Sequence, residues 1–460
     1  MALTCVIVAM CGFITSCNSY EPTTPVGGGN DNSGTGDDVK SGEPTWMTLN
    51  LSFPAPNSTL LRATTAAGDI DETALNTVDV FIYSGDNDYY SSHTHLTGSD
   101  FQSPVTSGVN VTYNAKPNTQ IPTTTGGKKV FVGVNLPADL ATALENKPAI
   151  ELRNVVRTFL TISDLASATN GIAMTNAADS LFSKTFTVNN QAVNNLVNAQ
   201  VQRLVAKVTV TEDPNIVTTG IDGTIIYPLQ WGINNYNTKT FLLQNIDWSG
   251  GVNNLLYIDP NYYAADYNAN DLLPVSSFIQ VRRFNSSSDA DLLPAYTTEN
   301  TSDRQLEKEL TSVVIRGQFI PKNIIVQQND TFRNATSSRT TAATFWSIIV
   351  RKGPIPEIAF FEDKTVADNY KASMGGAADP VQEYTNGYCY WHLFLHDQSY
   401  NFGVVRNNYY RCSITRIVFP GMPNALVPDP EKKPDVPTNM SVTITVIPWN
   451  DVTVSTELAP

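Results

Sequence analysis

Short runs of alternating apolar and polar residues recur through most of the chain. They are rich in Val, Ile, Thr and aromatic residues, and clusters of Gly, Pro, Asn and Asp separate them. Alternation places successive side chains on opposite faces of a strand, and the separating residues favour turns. The pattern therefore predicts an all-β protein. The clearest predicted strands are 47–53, 78–83, 130–134, 204–210, 278–281, 313–320, 345–350, 388–395 and 407–417.

Helical spacing is confined to connecting segments. The positions of Leu and Val predict a short amphipathic helix at 137–144 and another within 150–160. We expect these helices to pack on the sheets rather than to form a layer of their own. No repeat of fixed period is visible.

Turn-forming residues cluster at Glu212-Asp213-Pro214-Asn215, directly after a predicted strand. The chain from residue 45 onward is long enough for two domains of ordinary size. We therefore predict an N-terminal domain at 45–212 and a C-terminal domain at 213–460.

The N-terminus has the pattern of an export signal. An apolar stretch at 3–15 is too short to span a bilayer and ends in Ile14-Thr15-Ser16-Cys17. Small residues give a signal peptidase access to the backbone, and a thiol at the cleavage point can carry lipid. We predict a lipoprotein signal at 1–17 with lipidation at Cys17. A secretory signal with an unrelated cysteine is the alternative, and the absence of Lys or Arg before the apolar run is atypical.

Composition narrows the class of partner. Residues 18–44 are Gly, Pro, Asn, Asp, Ser and Thr in the main and predict a flexible tether. Overall the chain is 41% hydrophobic and 16% charged, as expected of a globular protein. Its net charge of -14 argues against nucleic acids and anionic membranes, which need a basic face. Membrane attachment is expected only through the lipid.

Two cysteines lie outside the predicted signal, Cys389 and Cys412. We interpret 388–395 and 407–417 as one antiparallel pair, and a symmetric hairpin centred on residues 400 and 401 would place the two cysteines opposite each other. Export makes a disulfide possible. Two buried free thiols are the equal alternative.

The four histidines do not form an evident metal site. His93 and His95 could share one face near a surface loop, but no third ligand is apparent in the sequence. His392 and His396 are four residues apart in a predicted strand, roughly 13 Å, which is too far to share an ion. We predict no metal and no cofactor.

Other catalytic or ligand motifs are also missing from the sequence. Residues 86–88 and 266–271 are rich in Asp and Asn but lack the Gly and Glu of a calcium loop, so we interpret them as turns. No nucleophile elbow, phosphate loop or dinucleotide fingerprint is found. The protein is not expected to be an enzyme.

Two alternating segments lie near opposite ends of the chain. The first has Met47, Leu49, Leu51 and Phe53 on one face. The second follows a Pro-rich spacer at 428–437 and a predicted fixed strand at 441–447, and it has Val452, Val454 and Leu458 on one face.

A loop of small residues at 57–68 follows the first segment and contains a single basic side chain, Arg62, followed by Ala63. An arginine-specific protease could cut there. A cut at Lys40 would release only the tether, because Lys40 lies before the first strand.

These features occur in a characteristic order. They are the lipobox at Cys17, the alternating first strand, the Arg62-Ala63 loop leading into 75–83, and the runs 203–208, 403–407 and 443–449. Together they resemble the FimA/Mfa family of major fimbrial subunits of Bacteroidales, which build type V pili. The last two runs are most similar to the Mfa branch.

The resemblance implies two transthyretin-like β-sandwich domains with a few short helices in the connections. It also implies an outer-membrane lipoprotein precursor that is cut after Arg62, so that the first strand at 46–53 leaves with the lipid. Met47, Leu49, Leu51 and Phe53 would fill a groove in the precursor. The donor strand at about 450–460 of another copy, with Val452, Val454 and Leu458, would then fill that groove in an extracellular fimbrium.

The expected partners are copies of the same chain, accessory anchor and tip subunits, and an arginine-specific protease. The sequence does not identify a receptor. Two other functions remain open: a tip or anchor subunit of the same superfamily, and a monomeric surface lipoprotein that binds glycans through Tyr262, Tyr263 and Tyr267.

Overall fold

The computed structural model describes most of the chain between residues 42 and 448. The described ranges are 42–54, 70–107, 110–177, 181–188, 195–217, 222–247, 256–283, 293–337, 339–353, 356–396, 402–417, 419–426, 429–434 and 440–448.

The alternating segments of the N-terminal half form strands, as predicted. In chain order these strands are β1 (Pro44–Pro54), β2 (Thr77–Ser84), β3 (Tyr90–Thr97), β4 (Val105–Ser107), β5 (Asn110–Asn114), β6 (Ile121–Thr124), β7 (Gly126–Val134), β8 (Val156–Thr158), β9 (Ala166–Ser167), β10 (Gly171–Ile172), β11 (Met174–Asn176), β12 (Phe182–Phe186) and β13 (Leu196–Arg203).

The C-terminal half continues in the same way. Its strands are β14 (Val205–Val217), β15 (Gly223–Asn234), β16 (Tyr236–Asn237), β17 (Lys239–Phe241), β18 (Asn245–Asp247), β19 (Leu256–Ile258), β20 (Leu272–Leu273), β21 (Ile279–Gln280), β22 (Arg282–Arg283), β23 (Ala295–Thr298), β24 (Asn300–Thr301), β25 (Ser312–Pro321), β26 (Ile324–Gln328), β27 (Thr331–Ala335), β28 (Phe345–Val350), β29 (Glu357–Phe361), β30 (Gln382–Tyr384), β31 (Tyr388–Phe394), β32 (Gly403–Val404), β33 (Asn408–Ile417) and β34 (Met440–Pro448). The all-β prediction is confirmed.

Helices are short and lie in connections. The described α-helices are α1 (Ala138–Leu144) and α2 (Lys364–Met374). Short 3₁₀ helices occur at Gly98–Asp100, Ala149–Asn154, Ile162–Asp164, Ala269–Asp271, Glu307–Glu309, Gly375–Ala377 and Thr385–Gly387. No helix in the described part of the chain is long and apolar enough to cross a membrane.

The two helix predictions have different outcomes. The helix predicted at 137–144 is confirmed by α1. The prediction of a helix within 150–160 is wrong beyond the 3₁₀ turn, because Val156–Thr158 forms β8 and pairs with β17. Tertiary strand pairing here overrides a local helical pattern.

One large sheet organises the N-terminal half. Its strand order is β3-β2-β7-β11-β13-β1-β5-β4, and β12 and β6 pair additionally with β7 and β1. Side chains on one face of these strands, with Leu75 and Phe101 from the connections, form one buried core. Its members outside β1 are Leu75, Val78, Val80, Ile82, Leu96, Phe101, Val111, Tyr113, Ile121, Val130, Val132, Val134, Met174, Phe186, Val197, Ala199 and Val201.

Two sheets face each other in the C-terminal half. One has the order β22-β14-β33-β34, with β23 also on β14, and the other has the order β21-β15-β25-β31. Side chains from both sheets, such as Val208, Trp231, Ile315 and Tyr410, share one buried core. A separate three-stranded sheet, β29-β28-β30, carries α2 on a smaller core.

The change from the N-terminal sheet to the C-terminal sheets falls at Leu204. Strand β14 pairs with β23 and β33, and it continues past the turn-forming cluster at 212–215 that we interpret as a domain boundary. The ladder shifts register between Glu212 and Val217, so these residues bulge the strand rather than end it. The division of the chain into two domains stays a prediction.

The predicted pairing of the two cysteine strands is wrong. Strand β31 pairs with β25, whereas β33 pairs with β14 and β34 in the facing sheet. Cys389 and Cys412 are therefore buried free thiols in the shared core rather than cross-strand neighbours in a hairpin. Burial raises the pKa of both thiols, that of Cys412 to about 12.

Candidate functional site

The candidate site is the place that β1 occupies in the N-terminal sheet, which we call the β1 slot. Met47, Leu49 and Leu51 are 0% exposed and Phe53 is 1% exposed, whereas the residues between them are half-buried. The predicted alternation is thus confirmed as a strand with one fully buried face. Phe53 also stacks on Tyr113 of β5, with 5.9 Å between ring centroids.

Both edges of β1 are paired. Residues 48–52 pair in parallel with residues 196–200 of β13. On the opposite edge, residues 44–47 pair with β6 and residues 50–54 pair with β5, both antiparallel. Within the described sheet, β13 is joined to β5 and β6 only through β1. Removing β1 would therefore leave an open slot between two unpaired strand edges.

A buried amide holds the N-terminal end of β1. The Nδ2 atom of Asn195, just before β13, donates to the Trp46 carbonyl at 3.0 Å and to the Thr187 carbonyl at 3.1 Å. Thr45 contributes a hydroxyl that donates to the same Thr187 carbonyl at 3.0 Å. Asn195 is 1% exposed, so these bonds are shielded from water.

A buried guanidinium holds the C-terminal end of β1. The Nη2 atom of Arg203, the last residue of β13, donates to the Pro54 carbonyl at 3.0 Å and to the Glu72 carbonyl at 3.1 Å. The guanidinium also lies over the Phe53 ring, 5.7 Å from its centroid. Pro54 precedes segment 55–69 and Glu72 follows it, so one side chain binds carbonyls from both sides of that segment.

The charge of Arg203 is part of a small ionic network. Lys207 Nζ donates to Glu72 Oε1 at 2.6 Å, and the Tyr296 hydroxyl donates to the same oxygen at 2.8 Å. Burial alone would raise the pKa of Glu72, but the Lys207 and Arg203 cations and the hydrogen bonds from Lys207 and Tyr296 hold it below its ordinary value. Burial lowers the pKa of Arg203 to about 10, which leaves it protonated at neutral pH.

Several predicted site residues lie outside the described residues. They are Cys17, Lys40, Arg62, Ala63, Val452, Val454 and Leu458. The segment 441–447, predicted as a fixed strand, forms β34 and pairs with β33 along its length, so this prediction is confirmed.

The histidine pair on β3 has a partner that the sequence did not reveal. His93 Nε2 and His95 Nδ1 lie 2.9 Å and 2.8 Å from Oδ1 of Asp79 on the neighbouring strand. His93 Nδ1 lies 3.0 Å from Oε1 of Glu145. Glu145 is the C-cap of α1, so these contacts join the C-terminal end of that helix to the sheet. Among the described residues, no group of three or more His, Cys, Asp or Glu side chains is arranged to hold a metal ion.

The second histidine pair lies in a β context, as predicted. His392 is on β31, and His396 follows the strand in an isolated bridge with Phe402. Burial lowers the pKa of His392 to about 4, so it is neutral at physiological pH.

The remaining candidates lie in turns and on the surface. Residues 85–87 form the turn between β2 and β3, and Ala269–Asp271 forms a 3₁₀ turn, in line with the turn interpretation. Tyr263 is exposed, whereas Tyr262 and Tyr267 are half-buried, and the Tyr267 hydroxyl donates to the Lys308 carbonyl at 3.3 Å.

The C-terminal region matches a known protein family. Residues 382–454, which include β30 to β34, match the family model described as major fimbrial subunit protein type IV, fimbrillin, C-terminal. This region of the chain is similar to the fimbrillin C-terminal family, and the resemblance to major fimbrial subunits is confirmed. The match does not distinguish the Mfa branch. No curated protein matches the chain.

Solved structures show a general likeness at low identity. A fimbrilin (FimA) from Porphyromonas gingivalis W83 is 14% identical, with 88% of this chain and 99% of that chain covered and a TM-score of 0.47. The tip fimbrial protein Mfa3 from Porphyromonas gingivalis, with a C-terminal truncation, is 14% identical. The alignment covers 88% of this chain and 100% of that chain, with a TM-score of 0.40. A fimbrial assembly protein from Parabacteroides distasonis ATCC 8503 is 9% identical. The alignment covers 90% of this chain and 100% of that chain, with a TM-score of 0.36.

Proposed function

We propose that the protein is a shaft subunit of a cell-surface fimbria and that removal of β1 converts a monomeric precursor into a polymerising subunit. The chain is exported as an outer-membrane lipoprotein with lipid on Cys17. An arginine-specific protease then cuts between Arg62 and Ala63. The observation that supports this proposal most directly is the position of β1 between two strand edges, ahead of the segment that contains Arg62.

After β1 leaves, a slot filled by another strand is lower in free energy than an empty slot. Burial of Met47, Leu49, Leu51 and Phe53 contributes roughly 6 to 12 kcal/mol, at about 1.5 to 3 kcal/mol for each side chain. An empty slot would expose this apolar surface together with unpaired backbone groups on β13, β5 and β6. Another strand that supplies both apolar side chains and backbone partners would satisfy these groups.

The segment at about 450–460 has the pattern required of such a strand. Val452, Val454 and Leu458 share one face, as the apolar residues of β1 do, and Thr456 is the weak position on that face. Because β34 is held in its own sheet by β33, the proposed donor begins beyond Pro448. Insertion of this segment into the slot of another copy is a head-to-tail contact, which does not close and so builds a filament.

Before cleavage, the covalent connection gives β1 a high effective concentration at its own slot. The precursor is therefore expected to stay monomeric. The cut at Arg62 turns β1 into a separate fragment, which a donor from a second subunit can replace. Anchor and tip subunits would then begin and end the filament.

The test is to treat the purified full-length precursor with an arginine-specific protease and to analyse it on a denaturing gel without boiling. Cutting between Arg62 and Ala63, verified by N-terminal sequencing, should produce a ladder of oligomers. An Arg62→Gln precursor should remain monomeric, and a chain without residues 452–460 should be cut but form no ladder. Complete cutting of the wild-type chain without oligomers would refute the proposal.

A further inference from the structure

Two buried side chains mark the ends of the β1 slot. Asn195 precedes β13 and Arg203 ends it, and they donate to the carbonyls of Trp46 and Pro54. Strands β1 and β13 run in parallel, so the two donors are as far apart along β13 as their acceptors are along β1. The spacing is roughly 26 Å in an extended strand.

Both donors are fully inside the protein. Asn195 is 1% exposed and Arg203 is 0% exposed, so neither can replace a lost carbonyl partner with bulk water while the slot is filled. A buried donor that loses its acceptor carries a desolvation cost. A strand that fills the apolar part of the slot but ends short of Trp46 or Pro54 would therefore be disfavoured.

The acceptors are main-chain carbonyls, which every extended strand possesses. The donors consequently do not select a side-chain sequence, whereas the apolar face alone does not define where a strand must begin and end. An alternating segment can slip by two residues and keep its apolar side chains inward. A fixed distance between two polar contacts adds the missing requirement for length.

We propose that Asn195 and Arg203 are positioning residues that require the occupant of the slot to span it from end to end, first β1 and then the 450–460 segment of a second copy. This inference rests on the proposed function for its second occupant. That segment is long enough to match the nine residues from Trp46 to Pro54.

Two peptides differ in their end contacts. One comprises residues 46–54 with a C-terminal amide. The other comprises residues 47–53 with a free N-terminus, so it keeps Met47, Leu49, Leu51 and Phe53 but lacks Trp46 and the buried Pro54 together with their carbonyls. Each competes with labelled peptide 44–54 for full-length protein that has been cut after Arg62. The longer peptide should bind about 100-fold more tightly, at about tenfold for each end contact.

Variants assign this difference to the two donors. Asn195→Asp replaces the amide donor by an acceptor of the same size, and Arg203→Met keeps the apolar stem without donors. Each should reduce the advantage of the longer peptide about tenfold. Arg203→Lys, which keeps the charge, provides a second variant if Arg203→Met does not fold. Gln200→Ala, at an exposed position of β13, is the matched control and should leave the advantage unchanged.

Hydrogen exchange in the uncut chain gives a readout that does not depend on cleavage. Asn195→Asp should increase exchange of the amides near Trp46, and the Arg203 variants should increase exchange near Pro54, whereas Gln200→Ala should change neither. Uptake of both peptides with equal affinity, or an unchanged advantage in the variants, would overturn the inference and leave the proposed function intact. A cut wild-type protein that takes up neither peptide would overturn both.

Discussion

Replacing Arg406 with Met is expected to destabilise the protein by about 3 to 5 kcal/mol, because it breaks a fully buried ion pair. The side chains of Arg406 and Glu299 are both 0% exposed, and Arg406 Nε donates to Glu299 Oε2 at 3.1 Å. The two other nitrogens donate to the Phe241 carbonyl and the Thr240 hydroxyl, each at 2.9 Å. The substitution would leave a carboxylate and two acceptors without these donors.

A second substitution separates the charge from the packing. In the Arg406→Met background, Glu299→Gln removes the buried negative charge while keeping the side-chain volume. Gln244 Nε2 donates to Glu299 Oε1 at 2.6 Å, and it can donate in the same way to the side-chain oxygen of a glutamine at position 299. The double variant should therefore be more stable than Arg406→Met alone, since an uncompensated buried charge costs more than a neutral polar group.

Urea unfolding followed by circular dichroism would measure both effects. The control is Arg351→Met, which removes an exposed ion pair with Asp379 and should leave the unfolding midpoint unchanged. A loss below about 1 kcal/mol for Arg406→Met would show that the pair does not carry the expected energy. A double variant no more stable than Arg406→Met would show that the unpaired carboxylate is not the cause of the loss.

Two further predictions concern the core of the slot and a buried carboxyl. Leu51→Ala should destabilise the uncut chain by about 2 to 5 kcal/mol in urea unfolding, because Leu51 is 0% exposed, whereas Ser52→Ala on the other face should have little effect; equal losses would contradict the burial argument. Burial, with Glu299 nearby, raises the pKa of Asp259 from 3.8 to about 7 against the lowering effect of its hydrogen bonds from Thr301 and Asn261. The folded protein thus retains a proton that the unfolded chain releases near pH 4, and the resulting stability is complete below about pH 4 and lost as the pH rises through 7. Thermal unfolding should show wild-type protein losing stability relative to Asp259→Asn over this range, and parallel pH profiles would refute the assignment.

The strands could be predicted because their signal is local. Alternation in 47–53 identifies β1 and its buried face without any knowledge of its neighbours. Its partners could not be predicted in the same way, because β5, β6 and β13 lie far along the chain and many alternating strands compete for each edge. The cysteine prediction failed for this reason. That prediction assumed that β31 and β33, which are close in sequence, pair with each other. Instead, β33 pairs with β14, a strand that lies about 200 residues earlier in the chain.

Helix α2 has a signal in the sequence that could have identified it. Asp363 is the N-cap of helix α2, and its carboxylate accepts from the backbone N–H groups of Thr365 and Val366. Ala367 and Tyr370 follow on the packed face of the helix. Asp79 and Asn195 had no such signal. A polar residue in a strand shows its role only when the opposing backbone or side chain is known.

The placement of β1 also bears on the order in which the chain can fold. A chain made from its N-terminus presents β1 before its partners at 110–124 and 196–200 exist. Such distant contacts carry a loop-closure entropy that local hairpins such as β2-β3 avoid. We therefore expect β1 to dock after the surrounding strands have assembled. The newly made protein and the cut subunit would then share one open-slotted state, reached from opposite directions, before β1 arrives and after it leaves.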